Sequence, residues 1–104
     1  MKLAISAQGN TLESELDPRF GRCKYFIFVD SETMEYECLE NPNINASGGA
    51  GGQSAQLVVS KSPDLIITGN LGPKAESALA QSGIKYLTGA SGSIKDIVEE
   101  YSKK

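Results

Sequence analysis

Cys23, set between Arg22 and Lys24, is the side chain in this sequence with the most evident chemistry. Flanking cations favour a thiolate, the soft ligand that proteins offer to iron–sulfur clusters and thiophilic metals. The same position equally suits a small apolar filler at the start of a strand. Arg19 and Arg22, on either side of Phe20-Gly21, carry planar forks suited to an anionic ligand, and they read equally well as solvated loop charges. Cys38 falls in a charged run and reads as filler. Glu13, Glu15 and Asp17 have no ligand spacing and read as solvated charge. A cluster takes about four ligands, more than two thiols can supply. With no histidine in the chain, the commonest general base and metal ligand is also missing. The residues point to part of a binding shell for something assembled elsewhere, not to a catalytic apparatus.

The glycines add a second kind of chemistry. Gly48-Gly49-Ala50-Gly51-Gly52 precedes a helical pattern, and backbone amides running into a helix start present free N–H groups and partial positive charge to an anion. Without Cβ atoms, a bulky guest can approach such a backbone closely. No Gly-Lys-Ser/Thr follows, so this is not a P-loop, and a flexible hinge is the plainer alternative. Gly69-Asn70-Leu71-Gly72-Pro73 repeats the device at a second helix, although alone it is an ordinary strand-to-helix turn.

The elements that position these residues follow from pattern. Lys2 to Ser6 reads as a strand, residues 7 to 24 as a long polar loop, and the aromatic, β-branched Tyr25 to Asp30 as a strand packed on both faces. Met34 to Glu40 alternates as the returning arm of a hairpin, with Glu35, Glu37 and Glu40 guarding an edge. A helix is expected from Gln53, with Ala55, Val58 and Val59 on its inner face and Pro63 ending it. Asp64 to Thr68 is a buried strand. Pro73 opens a second helix that turns Ala75, Leu79 and Ala80 inward and stops at Gly83. Ile84 to Leu87 is a last strand, and Ser93 caps a third helix bearing Ile94, Ile97, Val98 and Tyr101.

The order is βββαβαβα: an α/β domain whose mixed five-stranded sheet joins a meander to helical crossovers. The glycine turns, the loop after the first strand and all three helix starts then share one rim, where open α/β sheets take ligands. A chain of 104 residues is expected to be one domain. The net charge of −3 and the lack of a basic stripe argue against nucleic acid. No apolar run approaches a membrane span, and the N-terminal run is too short for a secretory signal, so a reducing cytoplasm with free thiols is expected.

Three stretches carry a family resemblance: Phe20-Gly21-Arg22-Cys23-Lys24-Tyr25-Phe26, Gly49-Ala50-Gly51 with its helix, and Gly69-Asn70-Leu71-Gly72-Pro73-Lys74-Ala75 followed by Gly83-Ile84-Lys85. In this order they resemble the dinitrogenase iron–molybdenum cofactor biosynthesis family along essentially the whole chain. The resemblance implies a three-layer ribonuclease H-like fold. It also implies a non-enzymatic role in binding, carrying or storing an iron–sulfur or molybdenum–iron–sulfur cofactor or its precursor, with cluster-assembly or acceptor proteins as partners. Many members carry histidine or further cysteine near the glycine loop, where this chain has Asn43 to Ser47. Ligation would then fall to Cys23, charge balance to Arg19 and Arg22, and the cradle to amides around Gly49, Gly51, Gly52 and Gln53 and around Gly69, Asn70 and Gly72.

Two rival readings differ in class. A nuclease on this fold needs carboxylates converging from strand ends, and the first strand has none. A regulatory module would use the same glycine-rich rim for an anionic metabolite or a partner protein.

Overall fold

In the computed structural model, which describes residues 1–42 and 50–102, β1 (Lys2–Ala7), β2 (Tyr25–Asp30) and β3 (Tyr36–Glu40) are followed by α1 (Ala50–Val59), β4 (Leu65–Ile67), α2 (Pro73–Ser82), β5 (Lys85–Leu87) and α3 (Ile94–Ser102). The five strands form one sheet in the order β3-β2-β1-β4-β5. β2 runs antiparallel to β1 and β3, whereas β1, β4 and β5 run parallel. The expected element order and mixed sheet are those observed.

Alternation divides the core between the two faces of the sheet. Leu3, Ile5, Ile27, Val29 and Ile67 point to one side and bury Ile94, Ile97 and Val98 of α3. Ala4, Phe26, Phe28 and Ile66 point to the other, against Ala55 and Val58 of α1 and Ala75 and Leu79 of α2. Two helices therefore cover one face and a single helix the other. Ala80, expected inward, is exposed; the next turn of α2 packs through the partly buried Ala78 instead.

The hairpin between β2 and β3 is longer than its pattern indicates, because Met34 takes a left-handed backbone (φ 64°). The Asp30 carboxylate accepts the amides of Glu32 at 2.8 Å and Thr33 at 3.3 Å, so pairing resumes only at Tyr36. Helix α1 likewise begins at Ala50, three residues before the expected start. Gly51 and Gly52 are thus its first turn, not a loop ahead of it. Helix α2 ends as expected: Gly83 is left-handed (φ 78°) and its amide donates to the Ala80 carbonyl.

Because β3 runs parallel to β1 by way of β2, the C-terminal ends of β1, β3, β4 and β5 share one rim with the N-terminal end of β2. That rim positions everything below.

Candidate anion-binding site

The loop from Gln8 to Lys24 shapes the rim. It is fastened along its length, not loose. Residues 15–17 fold back on the end of β1, with the Gln8 amide donating to the Glu15 carbonyl and the Asp17 amide to the Ser6 carbonyl, both at 2.9 Å. The loop then crosses to the turn after β4, where the Asn70 amide donates to the Pro18 carbonyl at 2.8 Å. Gly69 makes this crossing possible, because a Cβ there would lie 2.6 Å from the Pro18 Cα. The expected cradle glycine at 69 is therefore filled by the chain itself.

The three helix starts share the rim but are not equivalent. The first amides of α3 are already used: Ile94 donates to the Ser14 carbonyl and Lys95 to the Leu12 carbonyl, both at 2.8 Å, and Asp96 donates to the Ser93 hydroxyl at 3.2 Å. The expectation of three converging helix starts reduces to two. Helix α2 begins at Gly72, which has no side chain to cap it, with Pro73 at its first position. Helix α1 has no acidic residue in its first turn. The two starts touch: a Cβ on Gly51 would sit 3.3 Å from the Ala75 Cβ and 3.5 Å from the Ala75 backbone nitrogen. Gly51 thus eases the close approach of the two helices. At Gly52 and Gly72 a Cβ would meet nothing within 4 Å among the described residues. The starts of α1 and α2 thus lie side by side, with Glu76 in the first turn of α2 and no acidic residue in that of α1.

Cys23 belongs to this corner but not as expected. It is buried among Phe20, Phe26, Val58 and Leu79, and its thiol donates to the Phe20 carbonyl at 3.4 Å. Burial, and after it the nearby Asp17 charge, push the thiol up to about 12. The thiolate expected from Arg22 and Lys24 is therefore not favoured, because those neighbours in sequence do not offset desolvation. Cys38 packs against the opposite face of the sheet, so the two thiols cannot act together. Among the described residues no three His, Cys, Asp or Glu side chains are grouped to hold a metal ion. This donor set fits an anion held by amides and cations, and does not fit a cluster ligated by cysteine.

Gln8, Asp17, Arg19 and Lys24 line a cleft of about 290 Å³ on the rim. Arg19 meets Asn70 across a backbone bridge, which links the cleft to the start of α2. Arg22 is half-buried in the same turn. Gly49 lies outside the described residues, so its expected place in the cradle has no structural counterpart here.

Three residues matter more than their spacing indicates. Asp17, read as solvated charge, is buried and paired with Arg19. Asn41, read only as a break in pattern, is buried and donates to the carbonyls of Gly21 at 3.2 Å and Cys23 at 2.9 Å. Ser54 of α1 donates to the same Gly21 carbonyl at 3.3 Å, tying the start of the helix to the Cys23 turn. Asp17-Pro18-Arg19 did hold a signal: an aspartate two residues before an amide it can accept is a local turn former. A larger, mostly apolar groove of about 620 Å³ runs along the edge strand β5, lined by Met1, Leu65, Ile84, Leu87 and Tyr101 together with Asp64 and Lys85.

A mixed five-stranded sheet with two helices on one face and one on the other defines a small α/β domain. The profile of the dinitrogenase iron-molybdenum cofactor family matches residues 1–104, and the chain belongs to that family. It is 35% identical over 102 residues to an uncharacterized protein of Methanocaldococcus jannaschii, covering 95% of this chain and 83% of that one. Among solved structures it is similar to the apo form of the orange protein from Desulfovibrio gigas, with TM-score 0.92 and 35% identity over 98% of this chain and 87% of the other. It is also similar to a candidate NifB protein from Thermotoga, with TM-score 0.81 and 31% identity over 98% and 87% of the two chains.

Proposed function

We propose that this chain binds and carries, without catalysis, a preformed anionic iron–sulfur or molybdenum–iron–sulfur cofactor or its precursor as cargo. The observation that carries the reading is the contact of two helix starts at Gly51 and Ala75, with open backbone at Gly52 and Gly72 and the Arg19–Lys24 turn beside them. Membership of the family supports the cofactor class. The similarity to a protein described in an apo form supports a bound group that comes and goes. The sheet order β3-β2-β1-β4-β5 supports the ribonuclease H-like reading of the fold. Cluster-assembly or acceptor proteins are the partners such cargo implies, and a reducing cytoplasm is the setting it needs; among the described residues no helix is long and apolar enough to cross a membrane.

The cargo would be held by backbone amides at the starts of α1 and α2, with Arg22 and Lys24 balancing charge and Asn70 at the margin. Cys23 supports the turn from beneath. The test is anaerobic titration with tetrathiomolybdate, with inorganic phosphate as a second probe. Cys23→Ala should bind as wild type does, and Gly72→Asp, which sets a carboxylate at the helix start, should lose at least about tenfold. Equal binding by Gly72→Asp contradicts the site, and tighter binding of phosphate than of thiomolybdate favours the anionic-metabolite reading.

A further inference from the structure

Asp17 is an unexpected residue in a rim that attracts anions. Its side chain is 2% exposed, and carboxylates reach such burial when paired. The partner is Arg19, whose own side chain is 68% exposed. Its Nε donates to Oδ1 at 3.2 Å, its Nη2 to Oδ2 at 3.1 Å, and its amide to Oδ1 at 2.9 Å. The backbone of Asp17 is held as firmly. Its amide donates to the Ser6 carbonyl at 2.9 Å, and its carbonyl accepts the Ser6 hydroxyl at 2.6 Å. That hydroxyl also pairs with the Thr68 hydroxyl at 2.7 Å, both being buried.

This carboxylate cannot swing away, and Arg19 cannot leave it without stranding a buried charge. The guanidinium is therefore shared: one edge is committed to Asp17, and Nη1 is not engaged by it. Both residues line the cleft that also holds Gln8 and Lys24. An anion entering there meets the exposed guanidinium with the buried carboxylate directly behind it, 3.1 Å from Nη2.

We infer that Asp17 is an affinity-setting residue that cancels the charge of Arg19 from within, so that the rim releases its anionic cargo readily. The inference rests on the proposed function. Attraction then comes from Lys24, Arg22 and the two helix starts, and Arg19 contributes hydrogen-bond direction but little net charge. A carrier that hands over its load needs fast dissociation more than tight binding.

The experiment titrates the full chain anaerobically with tetrathiomolybdate, a dianion, at several salt concentrations. It compares wild type, Asp17→Asn, Arg19→Gln and the double variant. Asp17→Asn should bind at least about tenfold tighter with a steeper salt dependence, and Arg19→Gln at least about tenfold weaker, the order Coulomb's law gives for a unit charge near a dianion. The double variant should return to within about threefold of wild type, since the two charges leave together. It leaves no buried charge unpaired, so it is the reference against which either single variant is read. A double variant weaker by more than about tenfold, or a folded Asp17→Asn that binds no more tightly than wild type, overturns the inference. If wild type binds no thiomolybdate at all, the proposed function falls and this inference with it. If wild type binds but the charge pattern fails, only the inference falls.

Discussion

Cys23 shows how strongly a residue's environment outweighs its neighbours in sequence. An ordinary thiol titrates at 9.0, and burial first, then the Asp17 charge, push this one up to about 12. The folded state keeps a proton that the unfolded chain loses. The resulting stabilisation is fully present below pH 9.0 and drains away as pH rises from there towards 12. Chemical denaturation at about pH 8 and about pH 10.5 should therefore show a larger loss for wild type than for Cys23→Ala; equal losses would contradict the assigned environment. In thiol labelling at about pH 8, half-buried Cys38 should react first and Cys23 only on unfolding. Fast double labelling of the folded chain would contradict this. Gly69 makes a second test at this scale. Gly69→Ala drives a Cβ into the Pro18 backbone and should cost about 1–3 kcal/mol in a denaturant melt. Gly72→Ala meets nothing and has an ordinary extended backbone (φ −74°, ψ 166°), so it should change stability by less than about 0.5 kcal/mol.

The elements were largely legible in the sequence, and the reasons are local. Phe26 to Val29 are β-branched or aromatic throughout because both faces of β2 are buried. Pro73 and Gly83 bracket α2 through backbone geometry that few other residues match. The misses arise where tertiary contact overrides local preference. Gly51 and Gly52 look like a loop, yet they form the first turn of α1, where Gly51 eases the close approach of Ala75. The start of α3 looks open, yet the Gln8–Lys24 loop supplies its acceptors from residues some eighty positions away. Asp17 looks solvated because its spacing marks only a local turn with Arg19, and the burial comes from the distant Ser6 and Thr68 that hold its backbone. One test belongs to this scale. Gly52→Ala should stabilise α1 by up to about 1 kcal/mol through helix propensity, since no atom blocks its Cβ, while weakening thiomolybdate binding by crowding the open backbone. Thermal melts and titration of the same sample check both halves, and gained stability with unchanged affinity would place the guest elsewhere.

At the scale of the whole molecule, the parallel strands gather chemistry at one end, with two helix starts and the Arg19–Lys24 turn on the same rim. Towards the opposite end, the apolar groove lies beside Met1, Leu65, Ile84 and Tyr101. The central claim is that an anionic cargo docks at the first end. Backbone amide resonances recorded during an anaerobic tetrathiomolybdate titration test it most directly. The account predicts the largest shifts at Gly51, Gly52, Lys74, Ala75 and Arg19 to Lys24, with Met1, Leu65 and Tyr101 unmoved. Shifts concentrated around Met1, Leu65 and Tyr101, or no shifts at saturating probe, would contradict it.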